Sequence, residues 1–131
     1  MRVLVADDSG IIRDVMSQML RRLGHDLVGV VKNGPDAVDL AEQEKPDLAI
    51  VDVSMPGRYS GADAAKMIRE GDCARYIVVC TSIPNEYAKR CANTARAYLL
   101  PKPLHHISQL ERAITAAQAL IDQAQVPDGI A

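Results

Sequence analysis

The chain has 131 residues, a length that suits one domain and can bury a core without disulfides or structural metals. Apolar residues make up 48%, charged residues 24%, and the net charge is −2, so neither a basic surface for nucleic acid nor a polybasic membrane patch is indicated. Three cysteines (Cys73, Cys80, Cys91) lack metal-ligand spacing and read as reduced thiols of a cytoplasmic protein, no apolar stretch is long enough for a signal segment or membrane span, and four tyrosines with no Phe or Trp offer no platform for stacking bases.

Arg2–Ala6 reads as a first strand. Ile12, Val15, Met16, Met19, Leu20 and Leu23 then recur by threes and fours, one apolar face of a helix that Gly24 is placed to end. Leu27–Val31 is a second strand, and Asn33-Gly34-Pro35 turns into a helix reaching about Gln43, with Pro35 in its first turn. Leu48–Asp52 is a third strand of four apolar residues ending on a carboxylate. Ser60 and Asp63 form a capping-box pattern for a helix over Ala62–Arg69, with Gly71 as its stop. Tyr76–Cys80 is a fourth strand, Asn85–Asn93 a short helix of weak periodicity, and Tyr98–Leu100 a brief fifth strand. The last helix carries apolar residues at Ile107, Leu110, Ile114, Ala117 and Ile121, with Ser108 and Glu111 as its expected capping box. Residues 1–124 are expected to form the domain and 125–131 a tail, and Met1 favours a natural start.

Strand–helix alternation with strands apolar on both faces implies an α/β fold, a doubly wound parallel sheet with helices on both sides. In such folds ligands sit beyond the carboxyl ends of the strands. Asp7 and Asp8 end the first strand, Asp52 the third and Thr81 and Ser82 the fourth, while Lys102-Pro103 follows the fifth. Any one of these is explained by helix capping. Their convergence is not, because carboxylates brought close together repel unless a cation joins them. Hard oxygen donors suit Mg²⁺, which takes one or two carboxylates, keeps waters and completes its shell with a phosphate oxygen. An aspartate can itself accept the phosphoryl group, with a metal, a hydroxyl and a lysine neutralising the developing charge.

These segments resemble the receiver domains of two-component response regulators. VLVADDSGIIRDVM resembles the family's first strand, acid pair and first helix, LAIVDVSMPG its phosphoacceptor strand and loop, and VVCTS and KPL its hydroxyl and lysine positions. The resemblance covers about Arg2 to Gln123 and implies a five-stranded sheet in the flavodoxin-like order 2-1-3-4-5. It implies Asp52 as phosphoacceptor, and Mg²⁺ (or Mn²⁺) on Asp8, Asp52 and the Ser54 backbone carbonyl, with Asp7 supporting the metal through water. Thr81 would bond a phosphoryl oxygen and shift inward on activation. Lys102 would pair with Asp52 before phosphorylation and with the phosphoryl group after it, and Pro103 would fix the peptide following Lys102. The expected donor is a histidine kinase or histidine phosphotransfer protein. With no attached DNA-binding module after the last helix, output is expected from binding a protein through the face of Asn85–Asn93, Tyr98–Leu100 and Ile107–Ile121, or from relaying phosphate. Direct contact with nucleic acid or membrane is not expected.

Three departures from the family pattern stand out. Gly61 lies nine residues after Asp52 rather than eight, so the intervening loop is one residue longer, and Ser60 stands where an acid is common. Leu99 lies three residues before Lys102, where the family places its switch aromatic, and Tyr98 lies four before it. Either Tyr98 is the switch aromatic with an extra residue following, or the switch has none. Arg96-Ala97 also replaces the customary Gly-Ala. His105 and His106, as neighbours on a helix, do not share a face and read as a solvated cap, not as a metal pair. Two other functions share this residue set: an aspartyl-phosphate phosphatase or phosphotransferase acting on a small substrate, and a receiver-like adaptor that signals without phosphorylation. The enzyme needs a second acid near Asp52, where Ser54 stands, so the expectation is self-catalysed phosphoryl acceptance and autodephosphorylation only.

Overall fold

A computed structural model describes residues 1–123, so the expected tail lies outside the described residues. Five strands, β1 (Arg2–Ala6), β2 (Asp26–Val31), β3 (Leu48–Asp52), β4 (Tyr76–Thr81) and β5 (Tyr98–Pro101), alternate with five helices. The helices are α1 (Gly10–Arg22), α2 (Gly34–Glu44), α3 (Gly61–Glu70), α4 (Glu86–Ala95) and α5 (Ile107–Asp122). All strand pairs are parallel and the order is β2-β1-β3-β4-β5, the flavodoxin-like order. β3 and β4 are buried throughout, which is why their sequences read as unbroken apolar runs.

Side chains alternate across the sheet and divide the core in two. Val3, Val5, Leu48, Ile50, Val78 and Cys80 pack beneath α1 and α5. Leu4, Ala6, Ala49, Val51, Ile77 and Val79 pack beneath α2, α3 and α4, whose buried faces are mostly alanine. Small side chains there let the three helices lie close on the sheet, so that face is specified by tight backbone approach.

The helix ends follow local chemistry. Asn33 and Asn85 accept from the backbone N–H groups of Asp36 and Ala88, capping α2 and α4. Ser60 and Asp63 form the reciprocal capping box at α3. Gly24, at φ +86°, closes α1 in a Schellman arrangement, its N–H donating to Arg21 while that of His25 donates to Leu20. The expected box at Ser108 and Glu111 is not the one that forms. α5 starts earlier, with exposed His106 at its N-cap, and the Gln109 side chain reaches back to accept from the N–H groups of His105 and His106 at 2.6 and 2.9 Å. Starting there brings Ile107 into the first turn, half-buried, and sets Leu110 fully into the core.

Candidate functional site

β1, β3 and β4 all end at one edge of the sheet, and Asp7 and Asp8 just after β1, Asp52 at the end of β3 and Thr81 at the end of β4 line a shared cleft there. The cleft, about 430 Å³, is lined by Asp7, Asp8, Asp52, Ser54, Thr81 and Lys102, among others. Every residue expected at the site therefore lies there except Tyr98. One oxygen from each of Asp7, Asp8 and Asp52 lies within 4.8 Å of the others. Asp7 and Asp52 are buried, 1% and 6% exposed, while Asp8 is open to solvent. Three convergent hard oxygens with an exposed member fit a divalent cation that keeps part of its water shell.

Lys102 is the balancing cation. Its ammonium group donates to Asp7 at 2.9 Å and lies 3.3 Å from Asp52. The expected pairing with Asp52 is thus shared, and Asp7 is the nearer partner. Asp7 also accepts from the Ser9 N–H at 2.9 Å, which leaves it less free for the water-bridged metal role the resemblance implies. Burial pulls the Lys102 pKa down, but the hydrogen bond to Asp7 and the charges of Asp52 and Asp7 outweigh it, and the net shift is upward. Asp52 is pushed up to about 6 by its own burial and by Asp7, with Lys102 only partly offsetting them. Cys80, paired in register with Asp52, is fully buried and pushed up to about 12, an inert thiol.

The backbone around Asp52 is pinned on both sides. The Val53 N–H donates to Cys80, and the Gly61 N–H donates to Val53. A Cβ on Gly61 would overlap the Asp52 carbonyl, so only glycine allows α3 to begin against the end of β3. In the loop before it, Gly57 adopts φ +121° and Tyr59 packs on the core over the start of α2. The Lys102–Pro103 peptide is cis, and the Lys102 N–H donates to the Thr81 carbonyl at 2.7 Å.

Thr81 is buried and its hydroxyl is engaged locally, donating to the Ile83 carbonyl at 3.1 Å and accepting from the Ile83 N–H at 3.0 Å. Thr81 continues the alternation of Ile77 and Val79 toward the α3/α4 side, and Leu99, opposite Val79, packs on that same side. Tyr98 packs in the other layer with the α5 core. Of the two alternatives for the switch, the structure therefore favours a β5 without an aromatic on the Thr81 face. The backbone period of two, applied from the register Val78–Tyr98, decides this.

Three contributors were not singled out in the sequence. Ser9 caps α1 and holds Asp7, Arg13 donates to the Asp7 carbonyl at 2.6 Å, and Tyr87 lines the mouth of the cleft. The spacing of Ser9 just before a helix is a capping signal, whereas nothing local marks Arg13 or Tyr87.

The family description "Response regulator receiver domain" matches residues 3–115, nearly the whole described chain. The chain belongs to the response regulator receiver family. It is 40% identical over 116 residues, 88% of its length, to the transcriptional regulatory protein PdtaR of Mycobacterium tuberculosis, and spans 56% of that relative, a little over half. It is 33% identical over 82 residues to the chemotaxis protein CheY of Thermotoga maritima, 63% of this chain and 68% of that one. Among solved structures, the signal receiver domain of a modulated diguanylate cyclase from Desulfovibrio desulfuricans superposes with a TM-score of 0.81 at 27% identity, covering 95% of this chain and 98% of that one. TrrA from Thermotoga maritima, solved in complex with Mg²⁺-BeF, superposes at 0.76 and 26% identity, covering 88% of this chain and 97% of that one. Metal and beryllium fluoride binding by TrrA supports Mg²⁺ as a cation of the family. No helix among the described residues is long and apolar enough to cross a membrane.

Proposed function

We propose that this receiver accepts a phosphoryl group on Asp52 from the phosphohistidine of a histidine kinase or histidine phosphotransfer protein in the cytoplasm. The observation that carries the proposal is the arrangement of Asp7, Asp8 and Asp52 around one point, with Lys102 bridging Asp7 and Asp52 and Thr81 lining the same cleft. Asp8, Asp52 and the Ser54 carbonyl would hold Mg²⁺ (or Mn²⁺), with Asp7 behind them. The bound cation supplies positive charge for the phosphoryl oxygens.

An Asp52 carboxylate oxygen attacks phosphorus as the phosphorus–nitrogen bond of the donor breaks. The departing imidazole nitrogen keeps the electron pair and takes a proton from solvent. Lys102, already oriented by Asp7, turns toward the phosphoryl oxygens, and its raised pKa keeps it charged for that task. The Thr81 hydroxyl leaves Ile83 to donate to a phosphoryl oxygen, and that exchange of partners biases the conformation of the α4, β5 and α5 face. A downstream protein binds that face, or phosphate passes onward in a relay. The position two residues after Asp52, where turnover of a small substrate would call for an acid, holds Ser54.

The test is incubation with acetyl phosphate and Mg²⁺. Hydroxylamine-labile phosphate should appear on the protein and be missing from the Asp52→Asn variant. Absence of labelling from both acetyl phosphate and phosphohistidine donors overturns the reading, and sustained release of phosphate from phosphorylated metabolites would replace it with the enzyme.

A further inference from the structure

Phosphorylation-dependent output needs something that carries the state of Asp52 to the surface, and in this chain β5 offers no ring for it. Tyr98 lies on the opposite side of the sheet from Thr81, and Leu99, on the correct side, is aliphatic and has no hydroxyl. The only aromatic lining the cleft, among the described residues, comes from another element. It is Tyr87, the second residue of α4 and half-exposed at 51%.

Tyr87 stands where three depressions meet. It lines the cleft around Asp52, the groove running from Ser54 over Met55 and Pro56, and the groove between α3 and α4. It shares the groove between α3 and α4 with Cys91, one turn further along α4, and the groove over Met55 and Pro56 with Ser60 in the lengthened loop. The ring thus lies between the two segments that depart from the family pattern, the loop before α3 and the helix after β4.

A short chain of hydrogen bonds joins Thr81 to the first turn of α4, which carries this ring. The Ile83 carbonyl accepts from the Thr81 hydroxyl at 3.1 Å and from the Asn85 N–H at 2.8 Å. Asn85 is the N-cap of α4, its side chain accepting from Ala88 at 2.9 Å. When Thr81 turns to a phosphoryl oxygen, Ile83 loses one donor at its carbonyl and the acceptor at its N–H. The turn that fixes the first residues of α4 is then free to re-form, and Tyr87 is two residues beyond the cap.

We propose that Tyr87, not Tyr98, is the aromatic that responds to the phosphoryl state of Asp52, as a positioning residue linking the cleft to α4 and to the loop before α3. This inference rests on the phosphoacceptor reading of Asp52. With only four tyrosines (Tyr59, Tyr76, Tyr87, Tyr98), uniform 3-fluorotyrosine labelling gives one ¹⁹F resonance for each, assignable by single Tyr→Phe variants. On adding Mg²⁺ and BeF₃⁻, the Tyr87 resonance should move more than any other and that of Tyr98 should hold its position. In Thr81→Ala, at BeF₃⁻ concentrations that bring its bound-fluoride signal to the wild-type occupancy, the Tyr87 displacement should be largely lost. Fluoride bound to beryllium reports in the same spectrum. A bound-fluoride signal with Tyr87 unmoved, or with Tyr98 moving instead, overturns this inference and leaves the phosphoacceptor reading standing. An undiminished Tyr87 displacement in Thr81→Ala also overturns it, because proximity alone would then explain the shift. No bound fluoride at all overturns both.

Discussion

Asp52→Asn should stabilise the metal-free protein at neutral pH. In the folded chain the Asp52 pKa is raised from 3.8 to about 6 by burial and by Asp7, against a partial offset from Lys102. The folded state therefore holds a proton on Asp52 more tightly than the unfolded chain does. Stability falls as pH rises from about 4 through about 6 and stays lower above that. Each tenfold change in proton affinity is worth about 1.4 kcal/mol, so ionising Asp52 in place costs about 3 kcal/mol. Asparagine keeps the shape of the protonated carboxyl and never ionises. Urea unfolding in EDTA should give a difference between variant and wild type that grows by about 2 kcal/mol between pH 4.5 and pH 8. At pH 8 the variant should melt roughly 10 °C higher, given the usual scaling of melting temperature with stability at this size. Saturating Mg²⁺ should raise the wild type and narrow the gap. A variant less stable than wild type at pH 8, or a difference that does not change with pH, would show that Lys102 outweighs both burial and Asp7, and the electrostatic reasoning would fail.

Lys102→Met removes the cation that Asp7 and Asp52 share, and should cost the metal-free protein about 3 kcal/mol at pH 7.5; adding Asp52→Asn to it should recover part of the loss, which a double-mutant cycle of urea midpoints measures. Mg²⁺ should bind more weakly as pH falls through about 6, because protons compete for Asp52; calorimetric titrations at pH 5.5 and 7.5 in buffers of different ionisation enthalpy should show greater proton release at the lower pH, and a pH-independent affinity would refute it. Gly61→Ala drives a methyl into the Asp52 carbonyl and should lose about 2 kcal/mol or more while displacing the phosphoacceptor, read as a lowered melting temperature together with slowed labelling by acetyl phosphate.

What the sequence made legible was whatever has a local signal. β1 and β3 coincide with the apolar runs, because strands buried on both faces leave no polar positions to confuse the pattern. Asp52 was conspicuous for the same reason, a charge where the run should have gone on. The convergence of Asp7, Asp8, Thr81 and Lys102 followed from chain order, since every parallel strand ends at the same edge. Partner choice within that cluster was not legible. Lys102 and Asp7 are 95 residues apart, and which of two carboxylates takes the shorter bond depends on ångström-scale placement that spacing does not encode. The side of the sheet taken by Tyr98 was hidden because Pro101 and Pro103 flank Lys102, so counting back from the lysine is ambiguous; only pairing with β4 settles the alternation. Tyr87 was missed because α4 reads as alanine and polar residues, with nothing to set one aromatic apart until the loop before α3 folds against it.

The cleft is built with its charges out of balance. Three carboxylates face one lysine, and with all four groups ionised the cluster carries two uncompensated negative charges. Burial first and that excess second raise the pKa of Asp52: near pH 6 the readiest relief is a proton. A divalent cation relieves it fully and fits the oxygens available, so binding it and losing the proton are one linked equilibrium. A phosphoryl group then adds roughly one further negative charge at Asp52. Among the side chains lining the cleft, the carboxylates only accept, and Lys102 is shared between Asp7 and Asp52 until it turns to the phosphoryl oxygens. Thr81 and the Ile83 N–H bond only to each other's segment, and each can turn its proton to a new acceptor without abandoning a charge. Beyond what Lys102 and the cation neutralise, the new acceptors therefore draw on the turn that starts α4. A local charge imbalance at three strand ends becomes, through that turn, a change in the helix that presents Tyr87 at the surface.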